Sequence, residues 1–382
     1  MAISLQILIL REFEASLLAN ELVYGFVLAF WLLGSSLGSW LVKKNISTRF
    51  SPSSVYYFVL ILFVILLAWL RFFRPLTGYL PAEAAGFLPV LLISFLISIF
   101  LSFPLGALFV ANVHWLDGQL LRVYQLESLG SAAGGLVVYL FLIPYFSNWQ
   151  AAAVVILLIS LPMALASSSW KTKAVGFFVC LLALSLWLFD FPSQKVTWEP
   201  FELLASRDSM YSRLQVIKSE EQYSFYSNSL LIFNYPDPQL AEDLVCFSVL
   251  QRPQAKNILL IGGGLNGSLE LLLACPEVEV DYVELDPEII ELTRYYLPQA
   301  AAVLTDPRIT TYIEDGRHFI RRTDHRYQVI ISNLPEPSSA QINRFYTVEF
   351  FALVKEKLLP DGVFSFIVPS SENYISSEQA EL

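Results

Sequence analysis

Up to about residue 190 the apolar positions run together in long charge-free stretches, and beyond Thr197 they break into short segments separated by polar turns. The two rhythms predict two kinds of structure. About 20 apolar residues cross a hydrocarbon layer as a helix. Leu22–Val42, Ser54–Leu70 and Gly86–Val113 meet that requirement, the last with an expected break near Pro104. Ser128 to Trp170 holds no charge; Pro144 and the Ser147-Asn148 pair divide it into two spans, and Ala174–Phe189 makes a shorter sixth. Ile3–Leu10 is half a span, stopped by Arg11, Glu12 and Glu14, with no small-residue cleavage site behind it to mark a signal peptide.

After Thr197 the segments Leu214–Lys218, Ser224–Tyr226 and Leu230–Phe233 are short and β-rich, and Glu220-Glu221 and Ser227-Asn228 are turn signals between them. They predict one or two hairpins. A helix at Leu240–Leu250 then leads into a strand at Asn257–Ile261. From there strands at Val280–Glu284, Ile309–Tyr312, Gln328–Asn333 and Val363–Val368 alternate with helices from Asn266, at Pro287–Tyr296, from Gly316 and at Thr347–Leu358. Such alternation predicts a parallel, doubly wound, Rossmann-like sheet. The chain therefore divides into a transmembrane helical bundle over 1–194, a β-hairpin subdomain with its helix over 197–250, and a Rossmann-like nucleoside-binding domain over 251–382.

Composition sharpens this picture. Of 382 residues, 55% are hydrophobic and only 15% charged, outside the usual globular range. Residues 1–194 carry nine Lys/Arg against seven Asp/Glu, the remainder fifteen against twenty-seven. An acidic solvated half excludes a nucleic-acid partner, which would need clustered Lys and Arg. The spans hold Ser, Asn and Gly rather than paired carboxylates and lysines, with His114 and Glu127 expected at span ends, and this counts against a stand-alone transporter. Gly34 with Gly38, and Gly130 with Gly134, have the spacing that lets helix backbones approach closely. Cys180, Cys246 and Cys275 are scattered, as are His114, His318 and His325, so no metal site is expected. Lys43, Lys44, Arg49, Arg122, Lys171 and Lys173 fall on one side of a six-span bundle, while Arg11, Arg71 and Arg74 fall on the side of the C-terminal domain. That count places the domain outside the cytoplasm, whereas a cofactor made in the cytoplasm requires the reverse. The sequence reads as a multi-pass protein of the cell membrane, in contact with membrane lipid, whose sidedness stays open, the chemical argument favouring the cytoplasm.

The candidate chemistry lies in "NILLIGGGLNGSLELLL". Gly262, Gly264 and Gly267 fit G-x-G-x-x-G between a strand and a helix, and Glu284 closes the next strand twenty-two residues after the first glycine. A carboxylate there can accept hydrogen bonds from a ribose diol. Asp315, at the end of the third strand, is placed to bond an adenine amino group or to cap the helix that follows.

These residues carry a resemblance. "ILLIGGGLNGSLELLL", "VDYVELDPEII", "IEDGRHFI" and "FYTVEFFALVKEKLLPDGVF" are similar to the polyamine aminopropyltransferases, the spermidine synthase family, and more closely to its membrane-bound branch. The likeness covers roughly residues 205–375. It implies transfer of an aminopropyl group from decarboxylated S-adenosylmethionine, as co-substrate, to a small-molecule amine, with release of methylthioadenosine. Gly262, Gly264 and Gly267 would wrap the cofactor, Glu284 would hold its ribose and Asp315 its adenine. Soluble members are usually dimers, so a homo-oligomer is open.

The sequence departs from that family at several places. Leu265 stands where an aspartate grips the cofactor's amine, and Asn333 where an aspartate helps to deprotonate the attacking amine; an amide takes no proton, and a lost general base commonly costs about 10²–10⁴ in rate. Glu336 remains as a carboxylate in that loop. "LAEDLVC" keeps only Glu242 of the family's polyamine-binding run, and Ser212 replaces a glutamine. The sheet is expected to be truncated, because the chain stops at Leu382 soon after the strand at Val363–Val368. Two other readings follow: an S-adenosylmethionine-dependent methyl- or alkyltransferase, because Leu265 removes the feature that favours the decarboxylated cofactor, and a non-catalytic nucleoside-binding sensor coupled to the bundle, because of Asn333.

Overall fold

The fold is described by a computed structural model, which covers residues 1–17, 20–44, 52–275, 277–335, 337 and 339–367. It divides into two compact units, Met1–Gln215 with Ser227–Leu230, and Val216–Tyr226 with Leu231–Leu382.

The first unit contains α1 (Ala2–Leu17), α2 (Glu21–Lys44), α3 (Pro52–Arg71), α4 (Phe73–Thr77), α5 (Phe87–Trp115), α6 (Leu120–Val137, continued by a π turn at Val138–Leu142), α7 (Asn148–Ala166) and α8 (Trp170–Thr197). Six of these helices are long and apolar enough to cross a membrane. Ser147 caps α7 reciprocally with Gln150, which explains why Ser147-Asn148 reads as a boundary. Close packing of α2 on α5 uses the small residues: a Cβ on Gly38 would lie 2.0 Å from the Phe103 carbonyl oxygen. Gly34 and Gly38 thus serve packing within the bundle. Gly130, by contrast, faces nothing within 4 Å.

Three expectations are corrected here. The helix α5 runs unbroken through Pro104, with α2 packed along it and Gly38 against the Phe103 carbonyl. Glu127 lies well inside α6 rather than at a span end, because the helix begins at Leu120. The half-span at Ile3–Leu10 is part of a full helix that continues through Arg11, Glu12 and Glu14, with Leu5, Leu8, Ile9 and Phe13 fully buried.

The charges do not stop α1 because Glu12 is paired. Arg71 Nε donates to Glu12 Oε1 at 2.8 Å and Arg213 Nη2 to Oε2 at 3.0 Å. Arg71 Nη1 also reaches Asp190 Oδ1 at 2.5 Å, Arg213 Nε reaches Asp208 Oδ1 at 2.9 Å, and Asn148 Nδ2 donates to Glu12 Oε2 at 2.8 Å. Burial alone would raise the Glu12 carboxyl, but the charges of Arg213 and Arg71 outweigh it and hold Glu12 well below the usual carboxylate range. This network ties β1 (Glu202–Asp208) and the start of β2 (Arg213–Ser219) to the helices of the first unit, which runs to Gln215 and takes in Ser227–Leu230.

With β3 (Gln222–Ser227) and β4 (Leu230–Tyr235) these strands form a sheet of order β1-β2-β3-β4. The second unit continues with α9 (Pro238–Leu250), β5 (Asn257–Ile261), α10 (Ser268–Leu273), β6 (Glu279–Glu284), α11 (Pro287–Tyr296), α12 (Pro298–Ala302), β7 (Ile309–Ile313), α13 (Gly316–Arg322), β8 (Tyr327–Ser332), α14 (Ala340–Asn343), α15 (Val348–Lys357) and β9 (Leu358–Phe366). The sheet β7-β6-β5-β8-β9 is parallel throughout. Leu259, Ile261, Val283 and Ile330 from its strands pack with Phe319, Phe345 and Phe350 into a core. Residues from 368 onward, including the end of the strand expected at Val363–Val368 and the expected truncation of the sheet, lie outside the described residues.

Candidate functional site

The strand order places a topological switch point between β5 and β8: from β5 the chain winds one way to β6 and β7, then crosses to β8 and β9. In open α/β sheets the ligand crevice lies outside the carboxyl ends of the strands at that point. The glycine turn follows β5, Glu284 ends β6, Asp315 follows β7 and Asn333 follows β8, so the sheet brings all of these expected site residues to one edge. Glu336 lies outside the described residues.

Gly262 and Gly267 take positive φ values of 72° and 111°. Gly264 is needed for a different reason, since a Cβ there would lie 2.7 Å from the Tyr282 ring. Gly263, which the G-x-G-x-x-G spacing leaves out, is the most constrained. Its φ is +56°, and a Cβ would stand 2.3 Å from Asn333 Nδ2. Asn333 in turn donates from Nδ2 to the Gly263 carbonyl at 3.0 Å, and its backbone N–H donates to the Ile261 carbonyl at 2.9 Å. The amide at 333 is therefore a donor that clamps the glycine turn to the loop after β8. An ionised aspartate could not make that bond.

Glu284 is buried, 6% exposed, and its hydrogen-bond donors carry no charge. Oε2 accepts from the Tyr282 hydroxyl at 2.9 Å, and Oε1 from the backbone N–H groups of Leu285 at 2.8 Å and Asp286 at 3.3 Å. A carboxylate has about four lone-pair positions, so a hydroxyl ligand still finds an acceptor on Oε2. Burial raises the Glu284 carboxyl, and the Asp286 charge adds to this, against the lowering effect of these three donors. Asp315 is more committed: Oδ1 caps α13 by accepting from His318 N at 2.9 Å, and Oδ2 pairs with Arg344. Leu265, where the resemblance expects an aspartate, is fully buried in the core.

Sequence reasoning missed Tyr282, Gly263, Arg344 and Tyr346. Tyr282 was within reach, because it lies two residues before Glu284 on the same strand and so on the same face. Tyr346, whose hydroxyl is 3.3 Å from the carbonyl oxygen of Pro335, lay within the quoted run "FYTVEFFALVKEKLLPDGVF" without a role of its own being read from it.

Residues 238–375 match the spermine/spermidine synthase domain. A polyamine aminopropyltransferase of Clostridium perfringens is 31% identical over 185 residues, 47% of this chain and 65% of that protein. One of Alkaliphilus oremlandii is 31% identical over 163 residues, 42% of this chain and 57% of its own length. One of Oceanobacillus iheyensis is 27% identical over 261 residues, 63% of this chain and 50% of its own. The chain thus spans less than two thirds of these relatives. Among solved structures, a spermidine synthase in complex with the transition-state analogue AdoDATO aligns with a TM-score of 0.41 at 27% identity, over 43% of this chain and 57% of that one. The Thermotoga maritima spermidine synthase gives 0.39 at 27% identity, over 43% and 56%.

Proposed function

We propose that the second unit is an aminopropyltransferase-like enzyme domain that takes decarboxylated S-adenosylmethionine and a polyamine or related small amine. The observation that carries this reading is the position of Glu284: a buried carboxylate with uncharged partners, at the switch-point end of the sheet in a region that matches the synthase domain. In the reaction, the amine nitrogen forms a bond to the aminopropyl carbon as the carbon–sulfur bond of the sulfonium breaks, and the amine's proton leaves to a base. Gly262, Gly264 and Gly267 shape the turn beside the nucleoside, Glu284 accepts a ribose hydroxyl through Oε2, and Asp315 faces the base from the cap of α13. Asn333 supports the turn and cannot receive the proton; we assign that role to Glu336.

The first unit serves as a multi-pass anchor in the cell membrane. Its helices expose Leu32, Trp40, Leu129, Leu181 and Leu188, each at least 63% accessible, and exposed apolar residues of this kind suit contact with lipid. The donor hydrogen bond of Asn333 favours one other reading, a nucleoside-binding sensor that does not catalyse.

Thermal unfolding of the full chain in detergent with methylthioadenosine, decarboxylated S-adenosylmethionine or S-adenosylmethionine tests the site. A ligand at about 100 times its dissociation constant adds roughly 2.7 kcal/mol to the native state. Stabilisation by the first two that Glu284→Ala abolishes supports the transferase, and stabilisation by S-adenosylmethionine alone points to a methyl- or alkyltransferase. Binding without methylthioadenosine release from the decarboxylated compound in the presence of polyamines establishes the sensor.

A further inference from the structure

Arg74 lies in α4, directly after the apolar helix α3, and its side chain is almost wholly buried, 7% exposed. Its Nη1 donates to Ser229 Oγ at 2.9 Å. Nε and Nη2 have no hydrogen-bond partner among the described residues. These two N–H groups form one edge of the guanidinium, the planar fork that grips two oxygens of a carboxylate or phosphate side by side. The buried carboxylates Glu12, Asp190 and Asp208 of this unit are paired with Arg71 and Arg213. Glu83 contributes an attractive charge but makes no hydrogen bond to Arg74, and burial pushes the guanidinium down to about 10. A desolvated, unpaired cation is costly.

Arg74 lines a cleft of about 20 Å³ with Ser16, Gln194, Trp198, Gln215 and Ser229. That volume suits one water or the oxygens of one anionic group. One wall follows the end of α3 and another, at Trp198, the end of α8, where the polar surface of a bilayer lies if these helices span it. From this buried, unpartnered edge of Arg74 and the cleft beside it we infer that Arg74 is the anchor of an oxyanion site for a phosphate group, borne by a lipid headgroup or free in solution.

The full-length chain in zwitterionic detergent provides the test, read by thermal unfolding. Inorganic phosphate is titrated against chloride at matched ionic strength, and in a second arm the micelles are doped with phosphatidylglycerol or with uncharged diacylglycerol. A saturable rise in Tm with phosphate, absent in Arg74→Gln and shifted at least tenfold in midpoint in Arg74→Lys, establishes a free-phosphate site. The same pattern with phosphatidylglycerol but not diacylglycerol establishes a headgroup site. Should Arg74→Gln fail to fold, Arg74→Lys decides, because it keeps the charge and loses the fork. The inference is overturned if the variants respond as wild type does, if chloride acts like phosphate, or if neither arm shifts Tm, in which case the fork binds water only. No nucleoside is present in either arm, so this outcome is separate from that of the transferase reading.

Discussion

Two buried glutamates, one in each unit, show how differently the same side chain is used. Glu12 sits between two guanidinium groups and is held ionised as part of a structural network. Glu284 is also buried, though less completely, but is met by a phenol and two backbone N–H groups, and it moves in the opposite direction. A carboxylate whose charge is cancelled inside the fold is spent on the fold. One left with neutral donors retains affinity for something brought from outside.

The largest expected effect breaks this contrast on the Glu12 side. Glu12→Gln turns an acceptor into a group that presents N–H toward Arg71, Arg213 or Asn148, and removing one partner of a buried charge pair costs about 3–5 kcal/mol. Denaturant unfolding of the full chain checks this. Glu284→Gln keeps the shape and removes a poorly solvated charge, so its stability at pH 7 should stay within about 1 kcal/mol of wild type or rise.

Next comes Gly263→Ala. The left-handed backbone alone costs a non-glycine residue about 1–3 kcal/mol, and the new methyl displaces the Asn333 amide, so nucleoside-dependent stabilisation should fall with stability. A variant that keeps wild-type stability and ligand response would show that the clamp between the turn and the loop after β8 is dispensable.

A smaller effect is read against pH. Glu12 and Asp208 have folded values depressed below their ordinary 4.5 and 3.8, so their contribution is present above those values and is lost as pH falls below them. Glu284 is raised, so its contribution is complete below 4.5 and is lost as pH rises through the folded value. A tenfold difference in proton affinity between the folded and unfolded chain corresponds to about 1.4 kcal/mol. Stability curves of wild type and Glu284→Gln from pH 4.5 upward should therefore diverge, with the variant flatter; parallel curves would mean that Glu284 is solvated like an ordinary carboxylate. The smallest effect is expected at Gly130→Ala, within about 0.5 kcal/mol, because nothing stands within 4 Å. A loss well beyond that would reveal a partner against α6, the homo-oligomer left open above.

Legibility in the sequence followed the same divide. In the second unit most strands and helices were readable, and α11 at Pro287–Tyr296 matches its expected bounds, because alternation, caps and prolines are local; the short helices α12 and α14 were missed, and β9 starts at Leu358 rather than Val363. The glycine turn and Glu284 were readable for that reason. The bundle's charges were not. Glu12, Asp190 and Glu127 look like boundaries to any reading of hydropathy, and only partners 59, 119 and 201 residues apart make the first two buried parts of helices. The role of Asn333 was half visible: its failure as a base follows from its chemistry, while its grip on Gly263 follows from a contact across the switch point.

The pairing of Glu12 with Arg213 also sets a clock on biosynthesis. The two residues are separated by 201 positions, and a ribosome adding about 5–20 residues per second needs roughly 10–40 s to supply the second after the first. Through that interval the first helix carries a carboxylate whose final counter-charge has not yet been made, so the amino-terminal helix of this chain can be locked into place only after the last long helix has been synthesised.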